Sequence, residues 1–143
     1  MVYVCRKERF SAAHRLHNPD WSEEKNMQHF GPCANPSGHG HNFVLVTKVR
    51  GVPDPETGCV IDLKVLGKLI REQIIQKVEG KYLNSDVDFL NGKIPSCEVM
   101  VMAFWEVLAP KVKEASAGRA ELFKLELEET EKNFVEYFGE NAQ

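Results

Sequence analysis

The 143 residues suit a single compact domain spanning 1–143, because two halves would each be left with too small a core. The chain is 43% apolar, 27% charged and 9% aromatic, which excludes collagen-like, mucin-like and disordered classes. Eighteen Lys and Arg against 21 Asp and Glu give a net charge of −3, so no basic surplus exists to grip a nucleic-acid backbone.

No apolar run reaches the ~18–20 residues of a membrane span, and the opening MVYVCRKERF carries no signal-peptide core. The four cysteines, Cys5, Cys33, Cys59 and Cys97, form no CxxC pair and read as reduced thiols, so a cytoplasmic protein is expected.

In chain order, residues 2–10 are rich in β-formers and predict a first strand running on towards Ala13 and His14. Residues 17–38 hold Pro, Asn, Gly and Ser without a sustained period and predict a long loop, of a length seldom kept unless it covers or forms a site. Glu23, Glu24 and Lys25 within it read as solvated surface. Residues 39–50 predict a second strand, and GVPDPETG a connector.

Asp62 is placed to cap a helix through about Val78, with Leu63, Leu66, Leu69, Ile70, Ile74 and Val78 as its apolar stripe and Gly80 as its stop. Ser96 is placed to cap a second helix, offering Val99, Met102, Phe104, Trp105 and Leu108 to a core, which Pro110 is expected to end or kink. Residues 121–130 alternate, with Phe123, Leu125, Leu127 and Glu129 on one face, and NFVEYFG completes a hairpin after a turn at Glu131 and Lys132. The order β-β-α-α-β-β predicts an α+β fold, an antiparallel sheet with two helices on one face.

All five histidines, His14, His17, His29, His39 and His41, fall in the first 41 residues. Alternate strand residues face one side, so His39 and His41 in GHGHNF project together, and His14 at the end of the adjoining strand is the natural third donor. Three imidazoles with one open position are the ligand set of catalytic zinc; the competing reading is two exposed histidines beside a glycine-rich turn. Cys33, six residues before His39, is open to three readings: a thiolate base reaching a metal-held ligand, a fourth ligand, or an inert packing residue. Glu129 ends an apolar row, where a carboxylate needs a partner. Its two oxygens suit the paired N–H groups of a pterin or guanine, unless the strand end simply reaches solvent.

FSAAHRL at 10–16 and FGPCANPSGHGHNF at 30–43, with the later DPETGCVIDLKVLGKLI and LELEETEKNFVEYFG blocks, resemble the 6-pyruvoyl-tetrahydropterin synthase family over nearly the whole chain. The resemblance implies the tunnelling fold, whose trimers close a barrel and pair into a homohexamer. It implies zinc on His14, His39 and His41, Cys33 as the base, and Glu129 with Thr130 in a pterin-anchoring motif. The family lyase reaction eliminates triphosphate from 7,8-dihydroneopterin triphosphate in tetrahydrobiopterin synthesis.

Two positions depart from the family pattern. Where an Asp-His pair is usual, the chain has Glu79 and Gly80, and no histidine follows His41 to restore the imidazole. Ser96, Cys97 and Glu98 stand where Thr-Thr-Glu usually opens the second helix, a milder change in the substrate-binding set. His17 or His29 are candidate substitutes for the missing relay. Three readings follow: a zinc-dependent synthase, a pterin-binding paralogue with lost or altered turnover, and an enzyme with another product, such as the related carboxytetrahydropterin synthases. Retained Cys33 favours activity; Gly80 favours the other two.

Overall fold

The structure, a computed structural model, describes residues 1–140. Four antiparallel strands lie in the order β1-β2-β3-β4, namely Val2–His14, His39–Gly51, Ala120–Glu128 and Phe134–Tyr137. Alternation on β1 and β2 turns Phe10, Phe43, Leu45 and Val49 towards the helices, and Ser11, Asn42 and Lys7 away from them. Opposite the core face lies an open sheet surface.

Helix α2 (Leu63–Ile70) starts at Asp62, whose side chain accepts from the Lys64 N–H, and runs on through a π turn, Arg71–Ile75, to a last α turn, Gln76–Val78. Leu66, Ile70, Ile74 and Val78 are fully buried on the sheet as the stripe requires, whereas Leu63 at the entry is half exposed. A longer helix, α3 (Cys97–Ala115), is capped by Ser96, which accepts from the Val99 N–H. It buries Met100, Phe104, Leu108 and Val112, while Met102, expected in the core, points to solvent.

Three expectations are corrected. Segment 17–38 is not simply loop: Ser22 caps α1 (Glu23–Phe30), and a 3₁₀ turn, Gly31–Ala34, follows. Only Asn26 of that helix is buried, so it has no apolar period; Glu23 and Glu24 against the positive helix start, with the Ser22 cap, hold its first turn. Pro110 does not end α3, which continues to Ala115. Pro110 and Glu106, whose carbonyl loses its N–H partner, both lie on the exposed face, so that carbonyl is not buried unpaired.

Phe123 does not share a face with Leu125 and Leu127. Lys48 pairs with Lys124 but Val49 with Leu122, so Phe123 is an extra residue in a β-bulge. Parity flips there: Leu122 turns into the core, and Phe123 packs its ring 4.8 Å from that of Tyr3 on the open face.

Candidate functional site

The register of β1 on β2 sets His14 opposite His39 and Ala12 opposite His41, at the end of the pair where both strands carry small residues beside the imidazoles. The His14 ring centroid lies 4.6 Å from that of His39 and 5.3 Å from that of His41, with 4.9 Å between the last two. Gly38 makes this approach possible: its φ is +68°, and a Cβ there would stand 3.1 Å from both the His14 carbonyl oxygen and the Tyr82 ring. Glu129, just past β3, reaches the same point, and one ligand atom from each of the four residues lies within 4.8 Å of the others.

The chemistry of this donor set fits a metal ion. His14 is 1% exposed, and its Nδ1 lies 2.7 Å from the Pro95 carbonyl, which requires the proton on Nδ1 and leaves a lone pair on Nε2. The Nε2 atoms of His14 and His41 are buried without a hydrogen bond. Glu129 Oε1 stands 3.3 and 3.0 Å from them without forming a hydrogen bond, an arrangement in which a cation would satisfy all three atoms. Burial lowers the pKa of all three imidazoles; repulsion from neighbouring imidazoles adds to this, while the Glu129 charge opposes it. The fold therefore favours the neutral, ligating form.

Two cavities meet at Glu129. One, of about 400 Å³, is lined by His14, Ser96, Cys97, Glu98, Glu129 and Asn133. Four of the five residues predicted to bind substrate are thus brought together beside the first histidine. The fifth, Thr130, lines the second cavity, of about 1080 Å³, with His41, Gly80 and Glu129. Its hydroxyl also accepts from the N–H groups of Lys132 and Asn133, shaping the hairpin turn that carries Glu129. Burial, then the charges of Glu129 and Glu98, push the Cys97 thiol up to about 12, so it remains protonated.

Cys33 is half-buried on the 3₁₀ turn and lines neither cavity. It is not among the four clustered donors, so within one chain it does not close the histidine site as a fourth ligand. Glu79 has its carboxylate on the Ser11 N–H at 2.9 Å. His17 pairs with Glu23 at 3.2 Å, and His29 packs against Trp21 and Phe30, so neither joins the cluster. Pro95, which orients His14, was not legible in the sequence: its carbonyl comes from a loop 81 residues away.

The pattern of the family "6-pyruvoyl tetrahydropterin synthase" matches residues 3–140. The chain belongs to that family. It is 39% identical over 137 residues to 6-pyruvoyl tetrahydrobiopterin synthase of Homo sapiens, covering 96% of this chain and 91% of that one. It is 37% identical to the putative enzyme of Caenorhabditis elegans over 139 residues, covering 97% and 96%. The solved structure of Caenorhabditis elegans 6-pyruvoyl tetrahydropterin synthase superposes with a TM-score of 0.84 at 36% identity, covering 96% of this chain and 95% of that one. A structure from Wolinella succinogenes, at 15% identity and a TM-score of 0.72, shares the fold over 97% and 98% of the two chains. Family membership agrees with the four-stranded antiparallel sheet and the two helices packed on it. Among the described residues no helix is long and apolar enough to cross a membrane.

Proposed function

We propose that the chain is a carbon–oxygen lyase that eliminates triphosphate from 7,8-dihydroneopterin triphosphate, as a zinc-dependent 6-pyruvoyl tetrahydropterin synthase. The observation that carries this reading is the junction of an imidazole cluster with buried, unsatisfied nitrogens and a cavity lined by the Glu129 carboxylate.

His14, His39 and His41 would hold the ion. Bound there, zinc supplies Lewis acidity to the substrate's side-chain hydroxyls and the C–H beside them. Glu129 accepts the paired N–H groups of the pterin ring, and a charged acceptor there is about twice as strong as a neutral one. Ser96, Cys97 and Glu98 shape the same cavity, and protonated Cys97 offers a weak donor without adding charge. Cys33 takes the proton of the activated C–H as thiolate. The family assembly, in which trimers close a barrel and pair into a homohexamer, is supported by the uncovered edges of β1 and β4.

A second reading is favoured by Gly80. It lines the His41 cavity without a side chain, so the position that usually brings an imidazole brings none. A zinc- and pterin-binding paralogue with weak or altered turnover fits that feature.

Incubation with 7,8-dihydroneopterin triphosphate and zinc, following triphosphate and pterin products, decides between them. Triphosphate release that is lost in Cys33→Ala while pterin binding persists supports the lyase. Pterin binding with no release supports the paralogue, and neither binding nor release refutes both.

A further inference from the structure

Arg15 directly follows the first histidine of the cluster, and its polar atoms reach in three directions. Its backbone N–H donates to Asn84 Oδ1 at 2.8 Å, and its carbonyl accepts from Asn84 Nδ2 at 2.8 Å. The segment before Asn84 is zipped onto the end of β1, Ala13 donating to Lys81 at 3.0 Å and accepting from Leu83 at 2.8 Å. The main chain at position 15 is therefore held on both sides.

From that fixed point the side chain crosses to the cysteine turn. Nε donates to the Ala34 carbonyl at 2.8 Å, and Nη2 pairs with Glu23 on α1 at 2.8 Å. The N–H of Leu16 donates to the Cys33 carbonyl at 2.8 Å. Both carbonyls of the Cys33–Ala34 step are thus held from positions 15 and 16. The turn itself, Gly31–Ala34, has no side-chain cap and buries only Ala34, so it depends on restraint from outside. The guanidinium side chain is only 14% exposed, while its one anionic partner, Glu23, is 63% exposed. An exposed pair of this kind contributes little, so the covered bond to Ala34 is the consequential one.

We propose that Arg15 is the positioning residue of the Cys33 turn, coupling the thiol-bearing segment to the strand end that carries His14. The inference rests on reading Cys33 as the base. A rigid fork is needed to serve the Ala34 carbonyl and Glu23 together; a lysine offers one point charge on a flexible stem and meets one of them at a time.

The test uses the full chain carrying Cys5→Ser and Cys59→Ser, which removes the two exposed thiols. In that background Arg15→Gln, Arg15→Lys and Glu23→Gln are compared by zinc content, by kcat and KM, and by iodoacetamide labelling of Cys33 across pH. A displacement near 1 Å costs up to about 100-fold, so kcat falls ~10–100-fold in Arg15→Gln and by a smaller factor in Arg15→Lys, whose single donor divides its time between the two acceptors. KM and zinc per chain stay within about twofold, the bond lost lying outside both the cavity and the cluster. Cys33 labelling in the folded protein changes several-fold at every pH, and Glu23→Gln, which keeps the bond to Ala34, matches the parent. Unchanged labelling in both Arg15 variants overturns the proposal, as does a Glu23→Gln effect equal to theirs, or a joint fall of kcat and zinc content. Should Arg15→Gln fail to fold, Arg15→Lys carries the comparison. The lyase reading fails by a different result, a parent chain without turnover or a Cys33→Ala variant with full turnover, and the labelling still decides the role of Arg15.

Discussion

Gly80→His is the most informative single change. Gly80 has a φ of +67°, and a Cβ built there meets no atom within 4 Å, so space is available and only the backbone conformation resists. Holding a non-glycine residue in this left-handed region costs roughly 1–2 kcal/mol, and losing glycine's freedom in the unfolded chain returns ~0.4–1 kcal/mol. The net penalty, about 1 kcal/mol, lowers Tm by ~2–4 °C in a chain of this length. Against this stands the gain from a positioned proton carrier, typically ~10²–10⁴-fold. The N–H of residue 80 keeps its 2.7 Å bond to the Ser11 carbonyl, and the new ring enters the cavity lined by His41 and Glu129. Glu79 is best left intact, because a shorter Asp would give up its 2.9 Å bond to the Ser11 N–H. The assay is steady-state triphosphate release beside thermal melts, zinc content and pterin affinity. Turnover should rise at least tenfold. A variant that binds zinc and pterin normally, melts within a few degrees of the parent and turns over no faster refutes the missing-relay argument. A parent that is already fast, with His17→Ala and His29→Ala silent, refutes it too.

His39→Ala removes one of three nitrogens and should strip most bound zinc, read by metal analysis after dialysis; unchanged content would break the ligand assignment. Glu129→Gln keeps the shape but loses the charged acceptor, worth ~1.5–3 kcal/mol. Pterin affinity should fall by ~10–150-fold in calorimetry, and an unchanged Kd would remove Glu129 from the ring-binding role. The chelator-treated chain should lose stability as pH falls. Its three clustered histidines have folded pKa values below their ordinary 6.5, so the unfolded chain binds more protons below that pH. Denaturant midpoints should therefore be flat above about pH 6.5 and decline below it, and a midpoint that rises on acidification would contradict the sign. Native thiol titration at pH 8 should modify exposed Cys5 and Cys59 and spare buried Cys97, whose pKa is about 12; rapid Cys97 modification would show that the cavity opens.

Short-range pattern carried much of the fold and of the site. The alternation of GHGHNF, the end of the first strand at His14, the Asp62 and Ser96 caps and the two apolar stripes all arise between residues a few positions apart. They were legible because periodicity and capping are local chemistry. Helix α1 escaped because its one buried residue is the polar Asn26, which hydrogen-bonds back to Asn18 and Ser22 instead of lying in an apolar row. The Phe123 bulge escaped because alternation presumes one residue opposite one, and only pairing with β2 reveals the extra residue.

Within the site, residue types were readable but partners were not. The sequence alone placed His39 and His41 on one face, offered His14 as the third donor, and set a carboxylate at the end of the third strand. Tertiary structure alone decided that the Pro95 carbonyl fixes the His14 tautomer, that Glu129 stands between the two cavities, and that Arg15 holds the Cys33 turn. Each of those contacts joins elements distant in the chain or crosses between segments with no shared period. Its geometry exists only once the core has brought the segments together.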